Sequence, residues 1–268
     1  MELSRAGHLV RSVVSIALAA AIAAAFVFNA EAASRARRPR AAPAQCPATG
    51  TKPIAFSKAL DGRSFAAEDG AVIRLSGVLD PEAAGLPVSA AQQKASRKAL
   101  EDLLKPGSLT AAETGKDRYG RILAHLFANA VPVAQALVRG GYLRASPDAP
   151  SAPCASLLLK AEEEARSSGA AFWGAGLYKV LAPDELRGRL GTFQIVEGTI
   201  ASAAQIRGRM YVNFGADYRK DFTVTVASAE MRAFRRAKLD PKSLPGQRVR
   251  VRGWVELFNG PEMDIVSP

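Results

Sequence analysis

Short apolar segments separated by turn residues fill the first half of the chain and predict β-strands. The first three segments are Ile54–Leu60, Ser64–Ala67 and Val72–Val78. Asp61-Gly62 and Asp69-Gly70 separate them, and such pairs favour hairpin turns. The pattern therefore predicts a three-stranded meander.

A helix is predicted after this meander. Ser89 can cap a stretch with apolar residues at helical spacing, and Pro106-Gly107 ends that stretch after Leu104. Two strands and two helices are predicted next, at Ser108–Glu113, Ile122–Phe127, Val133–Arg139 and Ala155–Ser168. A helix between the third and fourth of five strands is the OB topology, here with two appended helices.

A second group of strand-like segments follows a polar connector at Ala182–Leu190. The segments are Phe193–Ala201, Arg209–Phe214, Phe222–Val226, Val249–Leu257 and Met263–Val266. A helix with Met231 and Phe234 separates the third from the fourth. The expected fold class is therefore α+β, mainly β: an OB barrel with added helices, followed by a second OB-like five-stranded barrel.

The first 32 residues have the layout of a signal peptide. Arg5 and Arg11 precede an apolar run at Val13–Phe28, and Ala30-Glu31-Ala32 is a small-x-small cleavage site. A run of roughly sixteen residues is shorter than the ~20 that span a bilayer. We predict cleavage after Ala32 and a periplasmic or secreted protein; the alternative is an uncleaved anchor in the inner membrane.

Composition supports folded domains and an anionic partner. Hydrophobic residues make up 48% of the 268-residue chain, enough for real cores. Lys and Arg outnumber Asp and Glu by 36 to 25, and the net charge of +11 predicts attraction to polyanions such as nucleic acid, anionic lipid or acidic polymers. The predicted organisation is a signal peptide at 1–32, a basic Pro/Ala-rich tether at 33–53, a first domain at 54–176, a linker at 177–191 and an OB-like domain at 192–268.

Only two cysteines occur, Cys46 in the tether and Cys154 in a Pro/Ser/Ala loop. Export would place both in an oxidising compartment, so we predict a disulfide between them. Two free thiols are the alternative, because spacing alone does not show that the sulfurs meet.

Three segments place ionised side chains where a phosphate would need them: Asp61–Ser64, Arg74–Glu82 and Asp117–Arg121. Phosphodiester hydrolysis adds negative charge at phosphorus, and planar guanidinium groups stabilise that charge through bidentate contacts. A neighbouring carboxylate can orient or deprotonate the attacking water. The segments therefore point to phosphodiester chemistry.

These motifs resemble those of the thermonuclease (staphylococcal-nuclease-like) family. Ile73–Glu82, in which an arginine precedes Pro-Glu by a fixed interval, resembles its first motif, and Asp117–Arg121 resembles its second. Val133–Tyr142 and Glu162–Trp173 resemble its later helices. The resemblance covers about Ile54–Gly174 and implies that the domain at 54–176 has the staphylococcal-nuclease-like fold.

The resemblance also implies roles for five residues. Arg74 and Arg121 match the two arginines that contact the scissile phosphate, and Glu82 matches the general base. Arg118 and Tyr119 match positions that bind a terminal phosphate of the substrate. The catalytic trio is complete in this sequence.

The metal site departs from the family pattern. The family binds Ca²⁺ through carboxylates, yet two of its ligand positions hold Arg63 and Leu79 here, which leaves Asp61 and Asp80 as metal ligands. Three outcomes are open: a metal bound by Asp61, Asp80 and Glu82, an Arg63 side chain that replaces the cation as a third positive clamp, or a domain that binds without cleaving.

The leading hypothesis is an exported nuclease-like phosphodiesterase, an endonuclease of thermonuclease type, that hydrolyses DNA or RNA with a degenerate metal site. Arg248, Arg250 and Arg252 alternate with valines, so the second barrel would hold the strand on a basic face. The rival is a catalytically inactive module that binds nucleic acid or another polyanion or protein in the cell envelope. A third hypothesis is an envelope protein that uses both barrels to contact other proteins.

Overall fold

The computed structural model describes residue 46 and residues 50–146 and 152–268. The predicted signal peptide at 1–32 and most of the tether at 33–53 lie outside these residues. Helices of the described part are each too short or too polar to span a bilayer.

The N-terminal strands build one curled sheet. Its strands are β1 (Lys52–Ile54), β2 (Phe56–Ala59), β3 (Ser64–Ala67), β4 (Val72–Leu75), followed after the short β5 (Val78–Leu79) by β6 (Leu109–Lys116), β7 (Ile122–Ala128) and β8 (Val131–Pro132). The order is β1-β6-β7-β4-β3-β2, with β8 on β7. Since β1 and β2 follow each other in the chain but lie at opposite ends of this order, the sheet curls on itself, as an OB-like half-barrel does.

The first predicted strand is corrected in two respects. The segment predicted as one strand, Ile54–Leu60, is divided between β1 and β2, because the chain turns there from pairing with β6 to pairing with β3. The last two residues of the predicted tether, Lys52 and Pro53, belong to β1.

Helices α1 (Ala90–Leu104), α2 (Val133–Arg139) and α3 (Ala152–Ser168) confirm the three predicted helical regions of this domain. Ser89 and Gln92 form a capping box at the start of α1, as the sequence predicts. Leu100 and Leu104 of α1 are buried in one core with Phe65 and Leu75 of the sheet. A short ladder pairs β5 with β9 (Arg144–Ala145).

The C-terminal strands form two sheets, so the second five-stranded barrel is not confirmed. After β10 (Val180–Leu181) come β11 (Phe193–Thr199), β12 (Ser202–Ile206), β13 (Arg209–Asn213), β14 (Thr223–Val226), helix α4 (Met231–Arg236), β15 (Arg248–Trp254), β16 (Glu256–Phe258) and β17 (Gly260–Asp264). One sheet has the order β10-β11-β15 and the other β12-β13-β14-β17-β16. Strand β12 was not predicted because its side chains are mostly exposed and give no apolar alternation.

The segment predicted as a linker, 177–191, is folded. Tyr178 and Leu186 are buried, and β10 pairs in parallel with β11. The described residues from 50 to 268 belong to one compact unit.

The predicted disulfide is confirmed: Cys46 is bonded to Cys154 in α3. His125 on β7 lies beside it, with Nε2 3.8 Å from the Cys154 sulfur. The disulfide is consistent with an oxidising compartment.

Candidate active site

Strand register sets the position of Arg74. In the β3–β4 hairpin Arg74 stands opposite Ser64, and its Nη1 donates a hydrogen bond to Ser64 Oγ at 3.0 Å. The same Nη1 lies 3.5 Å from Asp61 Oδ2. The Arg74 side chain is 12% exposed, so it is fixed at the edge of the barrel rather than free in solvent.

Arg121 immediately precedes β7, and the parallel pairing of β7 with β4 brings it near Arg74. Ile73 pairs with Ile122, the residue after Arg121. Asp117 holds the turn before β7: its Oδ1 accepts the backbone N–H of Arg121 at 3.1 Å, and its Oδ2 accepts Nε of Arg121 at 2.7 Å. Burial acts to raise the pKa of Asp117, but the bonds from Arg121 and the turn outweigh it and leave that pKa below its usual value.

Arg118 and Tyr119 lie on the exposed tip of the same turn. The Tyr119 ring is 67% exposed. The guanidinium carbons of Arg118 and Arg121 lie 4.9 Å and 5.1 Å from its centroid, within cation–π range. The turn therefore presents two cations and an aromatic face together.

Glu82 and Arg74 line the same cavity, which has a volume of about 660 Å³. The wall opposite the barrel is α1, from which Gln93 Nε2 donates to Glu82 Oε2 at 3.4 Å. Glu82 is otherwise exposed. A Cβ at position 62 would lie 2.7 Å from Ser96 Oγ, so only glycine lets the Asp61–Ser64 turn approach α1 this closely.

Asp61 and Asp80, the two predicted metal ligands, meet around Arg63. Arg63 Nε lies 2.7 Å from Asp80 Oδ2, and Arg63 Nη1 donates to the Val78 carbonyl at 2.6 Å. Asp61 Oδ1 accepts the backbone N–H of Arg63 at 2.8 Å. Arg74 Nη2 lies 3.7 Å from Asp80 Oδ2. Two carboxylates and two guanidinium groups therefore form one electroneutral cluster.

Burial lowers the pKa of both arginines. For Arg63 the loss of solvation is opposed by Asp80 and Asp61. For Arg74 the loss of solvation is reinforced by the positive charge of Arg63 and partly offset by Asp61. Arg121 also lowers both values, which places a third positive charge within reach of the cluster. Guanidinium groups titrate so far above neutrality that Arg63 and Arg74 stay charged.

Leu79 and Asp80 point in opposite directions. Leu79 is buried in a core cluster with Trp173 and Tyr178, whereas Asp80 faces the two arginines. The one-residue displacement of the carboxylate from the family position therefore still brings it to the site. Trp173 is buried in this same cluster.

The comparison with protein families agrees with this geometry. Residues 72–175 match the family described as staphylococcal nuclease homologue. The chain carries a thermonuclease-like domain. The match includes Arg74, Asp80, Glu82 and Arg121 but begins after the turn that holds Arg63. None of the curated proteins matches the chain.

Calcium, on which this family depends, does not fit the residues of the thermonuclease-like domain. Ca²⁺ takes six to eight oxygen ligands. Asp80 Oδ1 already accepts the Ala83 N–H at 2.7 Å, and its Oδ2 faces Arg63 and Arg74. The described residues thus show no clear calcium site. Cys46, His125 and Cys154 form a separate cluster of potential ligands, but both sulfurs belong to the disulfide.

The expected basic face of β15 packs against the thermonuclease-like domain. Arg252 Nη1 lies 2.6 Å from Glu162 Oε2 and Arg250 Nη1 lies 3.1 Å from Glu163 Oε2, both on α3. Arg250 also pairs with Glu197. These arginines are held by carboxylates, which corrects the interpretation that they form an open track for a phosphate backbone.

Sequence reasoning missed the contribution of α1. Gln93, Lys94 and Arg97 line the cavity on the face of α1 opposite Arg74. Their spacing of one, three and four residues places them on one side of a helix, so the helical period was a usable signal. Lys94 and Arg97 add positive charge to the wall that faces solvent.

Proposed function

We propose that this protein is an exported nuclease-like phosphodiesterase that hydrolyses DNA or RNA. The family match indicates a nuclease-like or nucleic-acid-binding function. The observation that carries hydrolysis is that Arg74 and Glu82 face one cavity, with Arg121 at the start of the strand that pairs with β4. That arrangement puts phosphate-binding cations and a proton acceptor on the same side of the barrel.

In the proposed reaction Arg74 and Arg121 hold the non-bridging oxygens of the scissile phosphate. Glu82 accepts a proton from a water as the water oxygen bonds to phosphorus and the ester P–O bond breaks. The departing alkoxide takes a proton from solvent. The two guanidinium groups stabilise the charge that accumulates on the phosphorane. A donor that is fixed in advance lowers the activation free energy by about 3–4 kcal/mol.

Positive charge around the cavity would guide the strand to these residues. Lys94 and Arg97 are exposed on α1, and Arg118 and Tyr119 are exposed on the turn before β7. A base stacked on Tyr119 and phosphates near the flanking cations would place the backbone along the barrel edge. Export is proposed from the N-terminal signal-peptide layout and agrees with the disulfide.

Cleavage of single-stranded DNA and RNA by the chain from Ala33 onward tests the proposal. Assays with EDTA, Ca²⁺, Mg²⁺ and Mn²⁺ would be run on the wild type, Glu82→Gln and Arg121→Ala. Glu68→Gln is the matched control, because Glu68 is also an exposed glutamate but lies in the β3–β4 turn. We expect both site variants to lose at least 100-fold in rate, in line with loss of a general base or a fixed cation. Equal rates in Glu82→Gln and Glu68→Gln would refute the role of Glu82.

A second candidate function is nucleic-acid binding without cleavage. It is favoured because both arginines proposed to hold the scissile phosphate already form ion pairs with carboxylates, Arg74 with Asp61 and Arg121 with Asp117. Fluorescence anisotropy of a labelled oligonucleotide distinguishes the two. Binding that weakens with salt but is never followed by cleavage would support this function. The remaining hypothesis is that the protein contacts other proteins. It predicts no salt-dependent binding of nucleic acid in this assay.

A further inference from the structure

We propose that the Arg63 guanidinium is a built-in cation that takes the place of calcium, so that this site binds no divalent metal and any reaction in it is metal-independent. The inference about metal binding stands on the structure of the cluster, and only its consequence for cleavage rests on the proposed function. Arg63 is thereby a positioning residue, because it acts on Asp80 and through Asp80 on Arg74.

Arg63 is fixed at both its backbone and its side chain. Its backbone N–H is fixed by Asp61, and its side chain is fixed by Asp80 and by the Val78 carbonyl. These are contacts to oxygens from the two ends of the site, the turn before β3 and the segment that runs from β5 to Asp80. A single residue thus contacts oxygens at both ends, through its backbone N–H at Asp61 and through its guanidinium at Asp80 and Val78.

The net charge of the cluster disfavours a bound divalent ion. Asp61 and Asp80 carry two negative charges, and Arg63 and Arg74 carry two positive charges at close range. A divalent ion added to this neutral group would leave an excess of two positive charges beside Arg74. At about 12% exposure of the Arg63, Arg74 and Asp80 side chains, that repulsion would be only partly screened by water.

The Arg63 cation is a permanent part of the chain. A chelator cannot remove it, and its guanidinium stays charged at neutral pH. It also keeps Asp80 directed toward Arg74, whose Nη2 lies 3.7 Å away. Arg74 is then oriented without a metal, and the field at the cavity does not depend on the concentration of free cation.

Isothermal titration calorimetry with CaCl₂ alone, without nucleic acid, tests the inference on the EDTA-treated, dialysed chain from Ala33 onward. The wild type is expected to show no saturable heat at millimolar calcium. Arg63→Asp removes the cation and adds a carboxylate between Asp61 and Asp80, so it is expected to bind one Ca²⁺ at least ten-fold more tightly than the wild type. Arg97→Asp makes the same change of charge on the α1 wall and is expected to gain no stoichiometric binding.

Arg63→Lys separates the charge from the shape of the side chain. It keeps a cation beside Asp80, so we expect it to resemble the wild type in the titration. If the wild-type protein cleaves nucleic acid, cleavage is expected to be unchanged by EDTA in the wild type and in Arg63→Lys and to require Ca²⁺ in Arg63→Asp. A merely structural role of Arg63 would lower activity without creating this calcium requirement.

Two results would overturn the proposal: stoichiometric calcium binding by the wild type that Asp80→Asn abolishes, or a correctly folded Arg63→Asp that binds no calcium. Circular dichroism establishes the folding of each variant, and the wild-type titration decides alone where Arg63→Asp does not fold. Absence of cleavage would refute the proposed hydrolysis but not the metal result. Calcium-dependent cleavage by the wild type would refute this inference and preserve the proposed function.

Discussion

Arg252 on β15 and Glu162 on α3 form an ion pair of 2.6 Å between residues 90 positions apart in the chain. Glu162 is only 3% exposed, and its other oxygen accepts the backbone N–H of Ala145 at 3.0 Å. The fully buried Arg144 lies nearby and donates to the Phe193 carbonyl. The C-terminal sheet β10-β11-β15 is therefore anchored to the thermonuclease-like domain through buried charges.

Arg252→Ala is expected to lower the free energy of unfolding by about 2–3 kcal/mol, because it leaves the buried Glu162 carboxylate without its ion-pair partner. Arg248→Ala is the matched control on the same strand. The Arg248 side chain is 71% exposed, so loss of its pair with Glu197 should cost at most about 1 kcal/mol. Urea unfolding followed by tryptophan fluorescence measures both. Equal effects of the two substitutions would mean that the Arg252–Glu162 pair does not anchor the sheet.

Removal of the disulfide is expected to destabilise the protein strongly. The cross-link joins Cys46 and Cys154 across a separation of 108 residues, and the loop-entropy model gives about 4–5 kcal/mol for a loop of that size. The double substitution Cys46→Ser/Cys154→Ser should shift the urea midpoint accordingly. Dithiothreitol should produce a comparable shift in the wild type and none in the double variant. A shift in the double variant on adding dithiothreitol would assign the effect to something other than this bond.

Local patterns in the sequence were sufficient to predict the elements that carry the site. The capping residue Ser89 depends on neighbours within a few positions, and it is found as predicted. The alternation that placed Arg74 in a strand is equally local. Parallel pairing of β4 with β7 then follows from the OB topology and brings Arg74 and Arg121 together.

The Arg63–Asp80 pair required tertiary information. Its two residues lie on a turn and beside a two-residue strand, so no periodic pattern fixes where either side chain points. The same limit applies to β15, where alternation correctly separated arginines from valines but did not reveal that α3 lies in front of Arg250 and Arg252. A pattern of charges in the sequence identifies which face of a strand is basic. The element that packs against that face depends on the tertiary structure.

Stability should depend on pH through His125. Burial lowers the pKa of His125 below its usual value of 6.5, so the unfolded chain takes up this proton at a higher pH than the native chain does. This contribution is therefore unchanged above about pH 6.5 and becomes destabilising as the pH falls below it. The difference in unfolding free energy between the wild type and His125→Gln, measured from pH 8 to 5, isolates it from titrating carboxylates. A constant difference over that range would contradict the prediction.

Tyr119 provides a test of how the turn before β7 contacts nucleic acid. If its exposed ring stacks on a base between Arg118 and Arg121, Tyr119→Ala should weaken binding of single-stranded DNA by about 1–2 kcal/mol, whereas Tyr119→Phe should bind nearly as the wild type does. Arg118→Ala should instead reduce the slope of log K against log salt by about 0.7, the value for one phosphate contact on a single strand. Anisotropy titrations at several salt concentrations measure both effects. Tyr119→Ala with wild-type affinity and an unchanged salt slope in Arg118→Ala would together exclude this turn from the binding surface.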